Sequence, residues 1–441
     1  MVRAVALPTI TDDSALGGAV IERSLRFNRS DSAYLSRALG SPTSDTKASV
    51  SVWLKRTAVS TDNSFFDNYQ GTNDRLTISL LSSTDGDALS VYQRDSSGIV
   101  CLLTTSQKFR DPSAWYHILV AFDTTQGTAA DRVKIYVNGT QVTSFSSSTY
   151  FSQNHNLRAG SGYTTNVGRY GAGSNYFGGY LAEFNYIDGQ QVSPTDVGFT
   201  DGQTGIWMPR RYEETYVNNG FRLDFDDNSS TSALGIDSSP NGNDLTVANI
   251  SVSAGAGNDS LEDTPSNNFC TLNSVNQDSN TTLSEGNLKA AGSSSTAYSF
   301  HTQGTIAQSS GKWYYEVEYT ANGGGTNSDL PAIGWARTTL RPTDNPTGGG
   351  GLCYRPARGD YIDLAGNNPT SKPTTSLGNV VQVAIDFDAG KIWFGNGGTF
   401  FESVNPSTGA NANITFTGGA ETLTPFPVSY THLTLPTSDL V

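Results

Sequence analysis

The sequence predicts an all-β fold, two β-sandwiches joined by a polar linker, and three observations carry that prediction. In Trp115 to Val142, Ile118, Val120 and Phe122 alternate on one face of a strand, and Val133, Ile135 and Val137 do so on the next. Period-two alternation of this kind marks a half-buried antiparallel pair. Asn138-Gly139 then supplies the positive φ angles of a tight reversal. The same plan recurs in Val380 to Gly398, where Val381, Val383, Ile385 and Phe387 alternate, Asp388-Ala389-Gly390 turns the chain, and the return run ends at Asn396-Gly397. Two hairpins of one design, far apart in the chain, point to two domains of related architecture. Composition agrees: Gly is abundant, Ser, Thr, Asn and Asp crowd the chain, and no amphipathic helical stretch exceeds a couple of turns. A length of 441 residues suits two or three domains, each able to bury its own core.

A net charge of −14 and a pI near 4.6 repel phosphate backbones and anionic lipid, which argues against nucleic-acid and membrane-surface partners. Lys55-Arg56 and Arg210-Arg211 are too short to form a basic footprint. Cys101, Cys270 and Cys353 stand far apart with no C-x-x-C context, so they read as buried or idle thiols. Met1 to Leu7 lacks the long apolar run of a secretory signal, and no apolar run nears the ~20 residues of a membrane span. The expectation is a chain made without Sec export and without membrane insertion.

Taken in order, residues 1–18 read as an N-terminal arm and residues 19–230 as the first sandwich with a return strand. Its strands are expected at Ser24 to Phe27, Ala33 to Leu35, Val50 to Leu54, Arg75 to Leu81, Ala88 to Gln93, the organising hairpin, and Tyr176 to Tyr186. Spacings of about a dozen residues with turn chemistry between them indicate a sandwich. The ordered set SLRFN…AYL, VSVWLK, WYHILVAFD, VKIYVNG, NVG and FGGYLAEFNYIDGQQVSPTDV resembles the laminin-G-like jelly roll of the concanavalin A-like lectin and glucanase superfamily. Glucanases of that fold carry an E-x-D-x-x-E strand. None is present here. His117 reads as structural, and Asp123, Glu183 and Asp188 as turn or strand-end residues, positions where related domains sometimes hold calcium.

Phe221 to Asp227 reads as one more strand, a tether back to the first sandwich, and residues 231–285 as a polar linker. Within the linker Asp237 to Asp244 opens like a calcium loop, with Asp237 and Asn241 as its candidate ligands. Position twelve is Ala248 rather than Glu, so an EF-hand is excluded. From Gly311 the runs GKWYYEVEY, AIGWA, GLCY and DFDAGKIWFGNGG resemble a SPRY domain, which places a second sandwich of the concanavalin A-like kind over 286–428. That resemblance implies a non-catalytic binding module whose loops meet a partner. Glu316 and Glu318 share one strand face, opposite Trp313, Tyr315, Val317 and Tyr319, and are expected to be solvated. The Gly-rich stretches Asn322 to Asp329 and Thr343 to Gly351 are the loops where binding would vary.

Val428 to Thr437, VSYTHLTLPT, resembles one reading frame of a transposon-type sequencing adapter. Residues 429–441 are therefore expected to be foreign, and poorly packed or paired only fortuitously, and the second sandwich truncated. The layout of jelly roll, Asn- and Ser-rich junction and second sandwich is similar to one common in large virion proteins of tailed phages from marine metagenomes. The leading reading is a non-catalytic structural or adhesion protein of the virion, with glycan or protein ligands, other virion proteins as partners, and no cofactor beyond the calcium just considered. Ligand contacts are expected from exposed loop residues: Tyr170, Asn175 and Tyr176 in the first sandwich, Tyr354 and Arg355 in the second. Trp53, Trp115, Trp313 and Trp393 are expected to be core or near-core anchors. The alternatives are a glycoside hydrolase or polysaccharide lyase on the same fold, and a bacterial adhesin at the cell surface.

Overall fold

The computed structural model describes residues 18–82, 85–255, 257–292, 302–320, 332–341, 344, 348–366, 373–419, 421–428 and 431–434. The arm at 1–17, the loop Asn322 to Asp329, residues 343 and 345–347 of the stretch Thr343 to Gly351, and the tail at 435–441 lie outside the described residues. The chain divides into two compact units between Asn268 and Phe269.

In the first unit the strands are β1 (Ser24–Phe27), β2 (Tyr34–Ala38), β3 (Lys47–Arg56), β4 (Asn63–Gly71), β5 (Asp74–Leu81), β6 (Ala88–Asp95), β7 (Gly98–Lys108), β8 (Trp115–Asp123) and β9 (Val133–Val137). Then follow β10 (Thr140–Gln141), β11 (Phe145–Thr149), β12 (Thr164–Val167), β13 (Gly179–Asp188), β14 (Gly198–Thr200), β15 (Trp207–Pro209), β16 (Phe221–Leu223), β17 (Thr246–Ala248) and β18 (Ser260–Leu261). One sheet runs β10-β9-β8-β3-β13-β1-β18 with β16 also on β13, and the other runs β11-β7-β6-β5-β4-β12-β2-β17. Their inner faces share one core, in which Ile118, Val120 and Phe122 of β8 and Val133, Ile135 and Val137 of β9 meet Leu76, Ile78, Leu80, Leu89 and Val91 of the opposite sheet. The alternation read from the sequence is thus the core alternation.

A second layer covers the outer face of the first sheet. Trp53 and Trp115 are buried, but they pack there with Ile21, Tyr180, Ala182, Trp207 and Leu261 rather than between the sheets. The Trp207 indole N–H donates to His117 Nδ1 at 3.1 Å, which leaves the proton on Nε2 to be donated to Ser51 Oγ at 2.9 Å. Burial drives the His117 pKa down to about 3, so the ring stays neutral and structural.

The linker expected at 231–285 is corrected by this layer. Phe221–Leu223 returns to β13 as anticipated, but the chain then stays on the first unit: Leu234, Leu245 and Ile250 enter its core, β17 pairs with β2, and β18 pairs with β1. Polar residues here serve as buried counterions. Asp259 meets Arg26 at 2.8 Å, and Asp263 takes Lys55 Nζ at 2.8 Å and Trp115 Nε1 at 3.0 Å. Three apolar anchors spread thinly through a polar stretch make no periodic pattern, which is why the stretch reads as linker.

The second unit begins with Leu272–Gln277 paired to Thr302–Gly304. Its large sheet runs Thr281–Ser284, Lys289–Gly292, Thr431–Thr434, Lys312–Tyr319, Val380–Asp386, Lys391–Asn396, Thr399–Phe400, with Ile414–Thr415 also on Lys391–Asn396. The facing sheet runs Asp360–Ile362, Gly351–Arg355, Ala332–Arg337, Leu423–Val428. Tyr315, Val317, Tyr319, Val381, Val383, Ile385 and Phe387 meet Trp335, Tyr354 and Tyr361 in the core. Trp313 packs against that core half-buried, while Trp393 is buried on the outer face with Ala384 and Val404 and donates to the Ala410 carbonyl at 3.0 Å. The tail is not wholly unpaired, because Thr431–Thr434 forms a ladder to Lys289–Ala290 and to Glu316–Tyr319.

Candidate functional site

The outer face of the second sheet of the first unit is uncovered by any second layer of strands and carries side chains of another kind. Because opposed residues of an antiparallel pair share a face, register alone assembles its rows. Tyr92, Thr77, Asp67, Asn166 and Ser36 form one row across β6, β5, β4, β12 and β2. Thr104, Ser90, Ser79 and Ser64 form the row on one side, and Arg94, Arg75, Tyr69 and Thr164 the row on the other. The floor is a strip of small hydroxyl side chains, most of them buried, with half-exposed tyrosines and arginines along it.

The segment 168–176 folds down over one side of this face. Gly168, at φ +89°, lies where a side chain would strike the Phe27 ring, and a Cβ on Gly171 would come within 2.3 Å of Tyr69, so both positions need glycine for the close approach. Gly171 N–H donates to Asp67 Oδ2 at 2.8 Å, and Thr77 Oγ1 donates to Asp67 Oδ1. Arg169 Nε donates to Asn166 Oδ1 at 3.0 Å while its guanidinium lies 3.4 Å from the Tyr34 ring centroid. Tyr170 meets Tyr69 edge-on at 5.6 Å. The Arg75 guanidinium sits 4.8 Å from the ring centroids of both Tyr170 and Tyr92. Burial, opposed by the Thr77 and Gly171 hydrogen bonds and by the charges of Arg75 and Arg169, pushes the Asp67 carboxyl up to about 7.

Tyr170, Asn175 and Tyr176 lie half-exposed on the loop beside this trough. Asn175 at φ +49° gives its carbonyl to Ser64 N at 2.9 Å, and Tyr176 bridges to Ser64 and meets Tyr34 at 6.5 Å. The sequence reading missed Tyr34, Asp67, Tyr69, Arg75, Tyr92, Arg94 and Arg169. Part of the signal was present: in β5 the residues alternating with Leu76, Ile78 and Leu80 are Arg75, Thr77 and Ser79, a polar face set by period two.

Tyr354 and Arg355 are a correction. They lie on a strand and not on a loop: Tyr354 is fully buried among Tyr361, Phe394 and Phe401, with its hydroxyl donating to the Pro373 carbonyl at 2.6 Å. Arg355 is fixed in a bidentate pair with Asp360, both contacts 2.6 Å. GLCYR pairs on both sides, with Ala332–Arg337 and Asp360–Ile362, which takes it off the surface.

Asp237 and Asn241, the calcium candidates, lie in a network of hydrogen bonds. Asp237 Oδ1 accepts from Arg222 N and Ser239 N, its Oδ2 accepts from Ser239 Oγ and Asn243 N, and Asn241 turns its amide N–H toward the Gly220 carbonyl. Donors converge on this carboxylate, the polarity opposite to a cation site. Among the described residues no cluster of three or more His, Cys, Asp or Glu could hold a metal ion. Asp123 accepts from Thr125 and Gln126 in its own turn, Asp188 from Thr43 N and Asn219 N, and Glu183 holds Arg222 at 2.7 and 2.8 Å. Glu316, expected to be solvated, is half-buried and accepts from the Tyr314 hydroxyl.

Residues 28–198 match the model of the family described as the concanavalin A-like lectin/glucanases superfamily, and residues 312–426 match that of the SPRY domain. No curated protein matches the chain. Among solved structures, the chain is similar to a native heptameric SAP-like pentraxin from Limulus polyphemus at 13% identity, covering 46% of this chain and 96% of that one, with a TM-score of 0.31. The SPRY domain of human HERC1 is 14% identical over 32% of this chain and 85% of its own, with a TM-score of 0.25. Domain 4 of AbnA, a GH43 extracellular arabinanase from Geobacillus stearothermophilus solved with arabinotriose, is 20% identical over 34% of this chain and 64% of its own, with a TM-score of 0.25.

Proposed function

We propose that this chain, a concanavalin A-like domain followed by a SPRY domain, is a non-catalytic binding protein whose first sandwich takes a glycan in the trough between Tyr92 and the 168–176 loop. One observation carries the reading: the half-exposed Tyr69, Tyr92, Tyr170, Arg75 and Arg94 stand together on the outer sheet face, over a largely buried floor of Ser, Thr and Asn side chains. Sugar rings present C–H faces to aromatic rings and hydroxyls to guanidinium groups, and this trough offers both kinds of partner in one place. A hydrolase would need two carboxyl groups flanking the bond. The rows named above carry one, Asp67, and the Thr77 and Gly171 donors already occupy it. That supports binding over turnover.

The finer role, a virion-associated structural or adhesion protein with other virion proteins as partners, rests on the resemblance of the order of the two domains to that of large virion proteins of tailed phages. Its test is the presence of the chain in purified particles by mass spectrometry. For the trough, glycan-array binding by the wild-type chain should be lost in the double variant Tyr92→Ala/Tyr170→Ala with the circular dichroism spectrum unchanged. Both rings are half-exposed, so the fold should tolerate their removal. Retained binding in that variant would remove the trough from the site.

A further inference from the structure

Arg75 on β5 stands directly opposite Arg94 on β6 in the ladder. Like charges in directly opposed antiparallel positions repel, and the arrangement is costly unless something anionic lies between them. The chain has acids to spare, 41 against 27 bases. Yet among the described residues neither Arg75, Arg94 nor the neighbouring Arg169 makes an ion pair with a carboxylate. The Nε of Arg75 and the Nε of Arg94 are both buried and have no hydrogen-bond partner. Arg75 is held in place by Tyr92 and Tyr170 on its flanks and by its bond to the Thr72 carbonyl, so the half-exposed end of its guanidinium is preorganised rather than mobile. The one acid in the adjoining row, Asp67, is engaged by Thr77 and Gly171.

We infer that Arg75 and Arg94 form a local anion subsite at the edge of the trough, acting at contact range against the chain's overall charge of −14, and that the ligand is an acidic glycan bearing carboxylate or sulfate groups. The inference rests on the glycan reading above and narrows it. A guanidinium fork matches the two oxygens of a uronate carboxylate or of a sulfate ester, and charge-assisted pairs of this kind are about twice as strong as neutral ones. The tyrosines beside the arginines would take the ring of the same sugar unit.

The test is calorimetric titration of the full chain with polygalacturonate, chondroitin sulfate and neutral dextran at low and at raised salt, on wild type, Arg94→Gln and Arg94→Lys. An acidic glycan should bind wild type, weaken with salt, and lose about tenfold in affinity in Arg94→Gln. Arg94→Lys should lose less. Which acidic arm binds tells carboxylate from sulfate. Arg94→Gln should also melt no lower than wild type, since it removes a repulsion, and that separates a binding loss from a folding defect. Three outcomes overturn the subsite: dextran binding as well as the acidic chains, Arg94→Gln leaving acidic-glycan affinity unchanged, or duplex DNA binding as tightly as the glycans and losing as much in Arg94→Gln. If dextran binds and the acidic chains do not, the subsite falls while the glycan reading stands. If no glycan binds, the proposed function fails first.

Discussion

Asp67 sits in a row with Thr77 and Asn166, fully buried, and burial pushes its carboxyl from 3.8 up to about 7. In the unfolded chain it ionises near the ordinary value. Between about pH 4 and pH 7 the native state therefore holds a proton that the unfolded state has lost, so stability falls as pH rises through that window and levels off above it. The full swing is on the order of 4 kcal/mol, because a tenfold difference in proton affinity between the two states is worth about 1.4 kcal/mol. Asp67→Asn should remove this contribution: urea midpoints measured from pH 4 to 8 should fall less steeply for the variant than for wild type, the remaining slope coming from other carboxyls such as Asp226, raised to about 6. A parallel fall in both would show that Asp67 ionises normally. At the same scale, Tyr170, Asn175 and Tyr176 were legible because turn residues flanked by glycine announce an exposed loop. Tyr354 was misjudged because GLCYR follows a Gly-rich stretch yet forms a paired strand.

Among the elements, the strap that covers the outer face of β3 and β8 is held as much by charge as by apolar contact. Lys55 and Asp263 are 0% and 4% exposed at the side chain, and Asp263 also accepts from Trp115. Removing one partner of a buried pair leaves an uncompensated charge and costs roughly 3–5 kcal/mol, whereas replacing both with apolar residues is often neutral. Asp263→Ala should thus lower the urea midpoint of the first unit sharply, and Lys55→Met/Asp263→Leu should recover most of the loss. Equal destabilisation in the single and double variants would show that the strap depends on packing alone. The 168–176 loop has a different anchor, glycines at 168 and 171 that let backbone settle against Phe27, Tyr69 and Asp67. Those glycines mark a close approach in the sequence, but not what is approached.

At the scale of the whole chain, the tail tests how far one ladder depends on identity of sequence. Thr431–Thr434 joins Lys289–Gly292 to Lys312–Tyr319 by backbone pairing, which any extended segment can provide. A chain ending at Val428 should keep the melting transition of the first unit unchanged and lose hydrogen-exchange protection at 289–292 and along the freed edge of 312–319. Retained protection there would show that the ladder contributes nothing. The sequence by itself determined the all-β class, both hairpins, the core faces of β8, β9 and Val380–Asp386, and the loop carrying Tyr170, because period-two alternation and turn chemistry are local properties of the chain. Tertiary contacts alone place residues 231–268 on the first unit, partly in its core and partly over the outer face of its first sheet, make Tyr354 core, and set Arg94 opposite Arg75. Those facts depend on registers and counterions between residues tens to hundreds of positions apart, and no local pattern encodes them.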